Sequence, residues 1–152
     1  MRVTAELLDA LATELRAHLG EVEEDARRIL ASEGINYTND TSNGLYSEAS
    51  VVGSTVEGAV GSRGRNALWA HNGRGPGKMP PDAPVRAWLR DKKGVPVGRE
   101  LDRATYLLRR AIGRRGTKAT RFLERPFEAR RPDLDGRLAR AADRALDGIH
   151  VL

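Results

Sequence analysis

The sequence predicts an α+β fold, with a long N-terminal helix, a small antiparallel β-meander and C-terminal helices in a single domain of 152 residues. Three observations carry that expectation. Apolar residues recur at steps of three and four from Leu7 to Leu30. Short strand-like runs then follow, separated by glycine-containing breaks, and the helical period returns after Pro80-Pro81.

The first element places Leu7, Leu8, Leu11, Leu15, Leu19, Val22, Ala26, Ile29 and Leu30 on one face, with Glu14, Arg16, Glu23, Glu24 and Arg27 between them. A helix from about Thr4 to Ser32 with Gly34 as its stop is expected, so the N-terminal helical segment covers 1–34. From Tyr37 to Asn43 the run Y-T-N-D-T-S-N is rich in residues that bond to their own backbone, and it reads as an exposed loop. Leu45–Val52 and Thr55–Val60 flank Gly53-Ser54, a pair suited to a two-residue hairpin. A second break, Ser62-Arg63-Gly64-Arg65, leads into an expected third strand around Ala67–Asn72, which extends the meander over 45–72. Ala67, Trp69 and His71 would share one face of that strand, with Trp69 in the sheet-to-helix core.

The helical half spans 80–150. Asp82 is the expected cap of a short helix that tolerates Pro84 in its first turn, buries Val85, Trp88 and Leu89, and stops at Lys92-Lys93-Gly94. The next helix runs from about Arg99 to Arg115. Leu101, Ala104, Tyr106 or Leu107, Leu108, Ala111 and Ile112 face inward; Arg103, Arg109, Arg110, Arg114 and Arg115 face outward or flank; Gly116 closes it. Phe122-Leu123 and Pro126-Phe127 form a compact link, and Asp133 opens a last helix through Leu134, Leu138, Ala141, Ala145, Leu146 and Ile149.

Net charge is +5, unevenly distributed: residues 1–82 hold 8 Lys+Arg against 12 Asp+Glu, and residues 83–152 hold 18 against 9. Such a split fits nucleic-acid or membrane contact, or copies of one protein meeting acidic face to basic face. Cysteine is absent, which excludes disulfides and cysteine-based zinc sites and makes a reduced, intracellular origin the default expectation. The N-terminus carries Glu6 and Asp9 before any apolar run, unlike a signal peptide, and no run is apolar enough to span a membrane.

Catalytic signals are missing. His18, His71 and His150 have no metal-ligand spacing; His18 reads as a border residue of the first helix and His150 as part of the tail. Ser54 and Ser62 lie in turns without an oxyanion signature beside His71, and Glu23-Glu24-Asp25 point in different directions on a helix. No catalytic residue, cofactor, metal or small-molecule substrate is expected. Gly73-x-Gly75-x-Gly77 lacks the spacing of a dinucleotide fingerprint and is followed by Pro80-Pro81, so phosphate-loop logic fails there. The stretch Trp69, His71, Asn72, Gly73, Arg74, Gly75, Pro76, Gly77 and Lys78 reads instead as a docking loop, anchored by Trp69 on one side and by Pro80-Pro81 with Trp88 on the other. Arg103, Arg109, Arg110, Arg114, Arg115, Lys118 and Arg121 are candidate cations for a DNA channel or a subunit interface.

Gly44-Leu45 with Ser47, Leu68-Trp69-Ala70, Gly73, Pro80-Pro81, Trp88 in V-R-A-W-L-R, Arg115-Gly116-Thr117, Phe122-Leu123 and Pro126 occur in an order that covers nearly the whole chain. In that order the sequence resembles the small neck and tail-component proteins of long-tailed phages and prophages: tail-completion, tail-to-head joining and tail-terminator proteins. It differs where that family often carries an aromatic-Glu-aromatic-Gly-Thr strand end; here the residues are Trp69-Ala70-His71-Asn72-Gly73. The resemblance implies a non-enzymatic virion protein, made in the host cytoplasm. It would form a homo-oligomeric ring, usually a hexamer, at the head-tail junction, in contact with a head-side connector and a tail-tube protein. The other class compatible with the residues is a small basic DNA-binding or regulatory protein.

Overall fold

The structure, a computed structural model, describes residues 2–34 and 40–149. It is α+β: α1 (Arg2–Ser32), α2 (Asp40–Asn43), β1 (Leu45–Val52), β2 (Thr55–Ser62), α3 (Ala67–Asn72), α4 (Asp82–Lys93), α5 (Arg99–Arg115) and α6 (Glu124–Ile149). Contacts gather in two compact units, one formed by Met1–Ala67 with Arg121–Leu152 and the other by Leu68–Thr120.

The first unit is built on α1, which packs against α6 and against both strands. Ala12, Leu19, Val22, Ala26 and Leu30 are its buried apolar residues, and Gly34 ends it with a φ of 67° that suits glycine. The hairpin forms around Gly53-Ser54 with Val52 opposite Thr55, and pairing continues in unbroken register to Leu45 opposite Ser62. β2 lies against α1 because Gly58 has no side chain: a Cβ there would sit 2.5 Å from Leu19 Cδ1 and 2.9 Å from Leu15 Cδ2. Polar ties join β1 to α1 as well. Arg16 Nη2 donates to the Ala49 carbonyl at 2.7 Å, and Ser47 Oγ donates to Glu23 Oε2 at 2.7 Å.

A ladder of ion pairs joins α1 to α6. Arg125 meets Glu33 at 2.7 Å; Arg130 meets Asp25 at 2.6 Å and also Glu21; Arg137 meets Glu14 at 2.6 Å and Glu21 at 2.9 Å; Arg144 lies 3.6 Å from Glu14. Rising numbers on α6 meet falling numbers on α1, so the two helices run antiparallel. The hydrogen bond from Arg130 holds the Asp25 carboxyl below its ordinary value of 3.8.

Four expectations are corrected in this unit or at its edge. The meander has two strands, not three, because Ala67–Asn72 is α3. Six residues rich in alanine and leucine suit a helical turn as well as a strand, and Gly73, with φ 73°, stops it as a left-handed C-terminal residue. Of the expected loop at Tyr37–Asn43, residues 37–39 lie outside the described residues. Asp40–Asn43 forms the short α2, whose Thr41 and Ser42 are buried. Asp40 Oδ2 accepts the Arg65 N–H at 2.8 Å, so turn formers here close a helical turn rather than an exposed loop.

The last helix begins at Glu124, not Asp133, and continues through Pro132. Proline deprives the Glu128 carbonyl of its helical donor, but ion pairs on both sides of it fasten the helix to α1. His18 is not a border residue: it is 1% exposed, and neither imidazole nitrogen has a hydrogen-bond partner among the described residues. Burial, and next the nearby Arg137, push its pKa below the ordinary 6.5. His150 lies outside the described residues.

The second unit packs α4 against α5. Pro81, not Asp82, occupies the N-cap of α4, with no side-chain cap bond. Asp82 is the first helical residue and accepts Arg86 at 3.0 Å and Arg109 at 3.2 Å. Gly94, at φ 65°, ends α4 by donating its N–H to the Leu89 carbonyl, and α5 spans Arg99–Arg115 with Gly116 closing it, as its spacing predicts.

Two outcomes test this packing. Gly58→Val forces a branched side chain against Leu15 and Leu19, and chemical denaturation will show a loss of about 1–3 kcal/mol; unchanged stability contradicts the close strand-helix contact. For His18, a folded pKa below the unfolded value means that the unfolded chain binds more protons near pH 6.5. Its contribution to stability is therefore complete above that pH and is lost as pH falls through it. Denaturation at pH 7 and pH 5.5 will show this loss in the parent and a flattened profile in His18→Leu.

Candidate functional site

Unit Leu68–Thr120 holds 13 Lys+Arg against 4 Asp+Glu. Its apolar residues are poorly covered. Only Leu89 and Leu101 among them are buried, whereas Leu68, Trp69, Met79, Val97, Tyr106 and Leu107 are exposed. Contiguous exposed apolar side chains mark interaction surfaces, and two neighbouring pairs here are exposed together, Leu68 with Trp69 and Tyr106 with Leu107.

The α5 helix shows how the sequence produces that surface. Leu101 and Thr105 are buried and Leu108 and Ile112 half-buried, so the inward stripe runs at steps of four and three. Tyr106 and Leu107, one of which was expected inward, both face out at 50% and 49% exposure. They lie on the stripe that also carries Arg103, Arg110 and Arg114, all exposed. The buried position between Leu101 and Leu108 belongs to Thr105, whose hydroxyl has no hydrogen-bond partner among the described residues. A polar residue at an inward helical position was the signal that could have exposed this shift of face.

The candidate cations separate into two groups. Arg109 does not stand beside Arg110 on the outer face: its Nε donates to the Pro80 carbonyl at 2.8 Å and its Nη1 to Asp82. It holds the start of α4 against α5. Arg103, Arg110, Arg114, Arg115 and Lys118 are exposed and make no ion pair among the described residues. Arg121 belongs to the other unit, with a positive φ of 50° and a 3.5 Å contact to Glu124.

The expected docking loop is fastened at both ends. Arg74 and Thr117 exchange backbone bonds of 3.1 and 2.8 Å, and Gly77 donates to the Gly113 carbonyl at 2.8 Å. Arg74 Nη2 reaches the Lys78 carbonyl at 2.5 Å. Glycine is required at position 73, where a Cβ would meet the Thr117 carbonyl at 2.5 Å, and at 116, where the Arg74 carbonyl fills the space. Gly75, Pro76, Gly77 and Lys78 remain exposed between these ties, while Gly73 and Arg74 are half-buried.

Trp69 is 60% exposed on α3 beside Leu68 at 67%, against the expectation of a core tryptophan; a helix turns these neighbours outward together where a strand would have alternated them. His71 is half-buried and Asn72 exposed on the same helix. The Ala70 carbonyl accepts both the N–H and the Oγ1–H of Thr120, at 3.2 and 2.6 Å.

The other motif residues are structural. Gly44 admits the backbone of Arg63-Gly64 at a distance no Cβ allows, and Leu45, Phe122 and Pro126 are buried, with Leu123 half-buried. Trp88 is half-buried under the Lys93 ammonium, 5.1 Å from its ring centre. Pro80 supplies the carbonyl for Arg109 and Pro81 the start of α4.

No group of three or more His, Asp or Glu side chains among the described residues is placed to hold a metal, and no described helix is long and apolar enough to cross a membrane. What this surface offers chemically is apolar area, one tryptophan, one tyrosine and arginine donors, a composition typical of the central residues of protein interfaces. Comparison with protein-family models, curated proteins and solved structures finds no match for the chain.

Proposed function

We propose that this chain is a structural, non-enzymatic virion protein that forms a ring, of six copies, at the head-tail junction of a long-tailed phage, where it joins or terminates the tail tube. The observation that carries the assembly part of this reading is the exposure of Leu68–Thr120: two of its apolar residues are buried and six large ones exposed, and Arg103, Arg110, Arg114 and Arg115 have no acidic partner among the described residues. The order of motifs from Gly44-Leu45 to Pro126 supports the choice of family.

Closing a ring needs a heterologous contact, in which one face of each copy meets a different face of the next. The two units differ in charge as such a contact requires. Leu68–Thr120 carries +9, and the rest of the chain, with 13 Lys+Arg against 17 Asp+Glu, carries −4. Opposite charge steers such surfaces together and sets their register, while Trp69, Tyr106 and Leu107 supply apolar area to bury. The neighbours above and below the ring are a head-side connector and a tail-tube protein.

One observation favours a second reading. The exposed cations Arg103, Arg110, Arg114, Arg115 and Lys118 suit phosphate contacts, either with DNA passing through a ring or as the binding surface of a small DNA-binding or regulatory protein.

Electron microscopy of the purified protein, alone and mixed with its tail tubes or connector, will show closed rings, and Leu107→Glu will leave folded monomers. A chain that stays monomeric with every partner, yet binds duplex DNA with a steep loss of affinity in salt, refutes the ring and establishes the second reading. Reversal of Arg110 and Arg114 to Glu separates two roles. Intact rings with impaired DNA retention place these residues in the channel, and lost rings place them between subunits. Arg109→Glu will destabilise the chain itself, because it removes the tie to Pro80 and Asp82.

A further inference from the structure

The dipeptide Asn-Gly occurs twice in the chain, at Asn43-Gly44 and at Asn72-Gly73, and both asparagines are exposed. Such a pair has a chemistry of its own. The backbone nitrogen that follows an asparagine can attack that residue's side-chain amide, and a glycine, having no Cβ, leaves the nitrogen open to approach and the backbone free to turn toward it. In a folded chain the reaction depends on how firmly that nitrogen is held.

The two sites differ in this respect. The Gly44 N–H donates to the Asp40 carbonyl at 3.0 Å, and the Gly44 carbonyl accepts the Arg63 N–H at 2.9 Å. Although α2 is short, distant residues clamp it: Thr41 and Ser42 are buried, Arg27 donates to the Ser42 carbonyl at 2.9 Å, and the Gly64 nitrogen lies 2.5 Å from where a Cβ on Gly44 would be. Gly73 is held only beyond its nitrogen. Its N–H has no hydrogen-bond acceptor among the described residues, and it follows the exposed last residue of α3, a helix of six residues. So short a helix gains little from propagation, and its last turn opens at small cost.

We propose that Asn72 is a site of spontaneous covalent modification, converted to aspartate and isoaspartate through a cyclic imide. Neither step depends on the assembly proposed above. The Gly73 nitrogen loses its proton to hydroxide and bonds to Asn72 Cγ; the Cγ–Nδ2 bond breaks, and Nδ2 takes up a proton from water and leaves as ammonia. Water then opens the imide. Cleavage between the nitrogen and Cγ restores the normal main chain with an aspartate, whereas cleavage between the nitrogen and the main-chain carbonyl carbon reroutes the chain through Cβ and Cγ as isoaspartate. One ammonia is lost and one water gained, with no change of oxidation state.

The product alters the loop that begins there. A carboxylate at the C-terminal end of α3 opposes the helix dipole and lowers the +9 charge of Leu68–Thr120. Isoaspartate also lengthens the main chain by a methylene beside Gly73, where there is no slack: a Cβ on Gly73 would lie 2.5 Å from the Thr117 carbonyl oxygen and 2.7 Å from the Ala119 nitrogen. The reciprocal backbone bonds between Arg74 and Thr117 are the first that this displaces.

The test follows both sites by peptide mapping and fragment mass spectrometry while the dilute full chain is incubated at pH 7.5 and pH 9, with the urea-unfolded chain as reference. In the folded chain the product at position 72 is expected to accumulate about tenfold or more faster than that at position 43, and faster at the higher pH; in urea the two sites react alike. Equal rates in the folded chain, or an intact Asn72 under conditions where the unfolded chain reacts, overturn the proposal. Asn72→Gln, a change at an exposed residue whose longer side chain closes the ring far more slowly, will abolish the mass gain of that peptide. A gain that persists in this variant arises at Asn66 and contradicts the assignment. Amide hydrogen exchange reads the consequence: faster exchange at Arg74 and Thr117 in the isoaspartate fraction is expected, and unchanged exchange refutes the displacement of their bonds.

Discussion

The antiparallel contact between α1 and α6 joins the two ends of the chain, and the remainder of the first unit depends on it. Glu14 and Glu21 are seven residues apart, as are Arg130, Arg137 and Arg144. That interval returns a helical side chain to nearly the same face, so the two series can meet along their whole length. A shift of α6 by one turn would separate most of the pairs at once. Individual surface ion pairs contribute little, but here several share partners: Glu21 receives both Arg130 and Arg137, and Glu14 receives both Arg137 and Arg144. The side chains of Glu14 and Arg137 are each 21% exposed, which limits screening by solvent. The same ladder carries α6 through Pro132 and buries His18.

This contact also changes the meaning of the uneven charge along the sequence. Acidic residues of the N-terminal half and basic residues near the C-terminus satisfy one another within the chain, so they are partly spent before any partner arrives. The excess positive charge that remains concentrates in Leu68–Thr120, on the unit that also leaves its apolar residues uncovered. Electrostatics inside the first unit sets its register, whereas on the second it is available for association. Within that second unit Arg86, Arg90 and Arg109 are exceptions: Arg86 pairs with Asp82 and Asp102, Arg90 with Asp91, and the Arg109 guanidinium is consumed by Pro80 and Asp82.

Elements specified by local chemistry were legible in the sequence. The Gly53-Ser54 hairpin, the limits of α5 and the stops at Gly34, Gly94 and Gly116 all follow from signals a few residues long. Elements decided by distant contacts were not. Ala67–Asn72 is too short for its period to distinguish helix from strand, so Trp69 was placed on the wrong side. Asp133 reads as the start of the last helix until the ion pairs on either side of Pro132 are seen, and α2 is tied to Arg65 and Arg27, which are far from it in sequence. For α5 the helix was recognised but rotated: Thr105 occupies the inward stripe, and Tyr106 and Leu107 turn to solvent. The heptad spacing of the glutamates and arginines was present in the sequence, yet nothing local links residues more than a hundred positions apart. The candidate surface was accordingly legible as a basic, helical region, but not in which of its side chains face out.

A double-mutant cycle on Glu14 and Arg137, using Glu14→Gln, Arg137→Met and the pair in chemical denaturation, measures the contact on which this account rests. A coupling energy of about 1 kcal/mol or more is the expected result for half-buried charges in a shared network. Additivity within about 0.5 kcal/mol would show that α1 and α6 are not held in register by their charges.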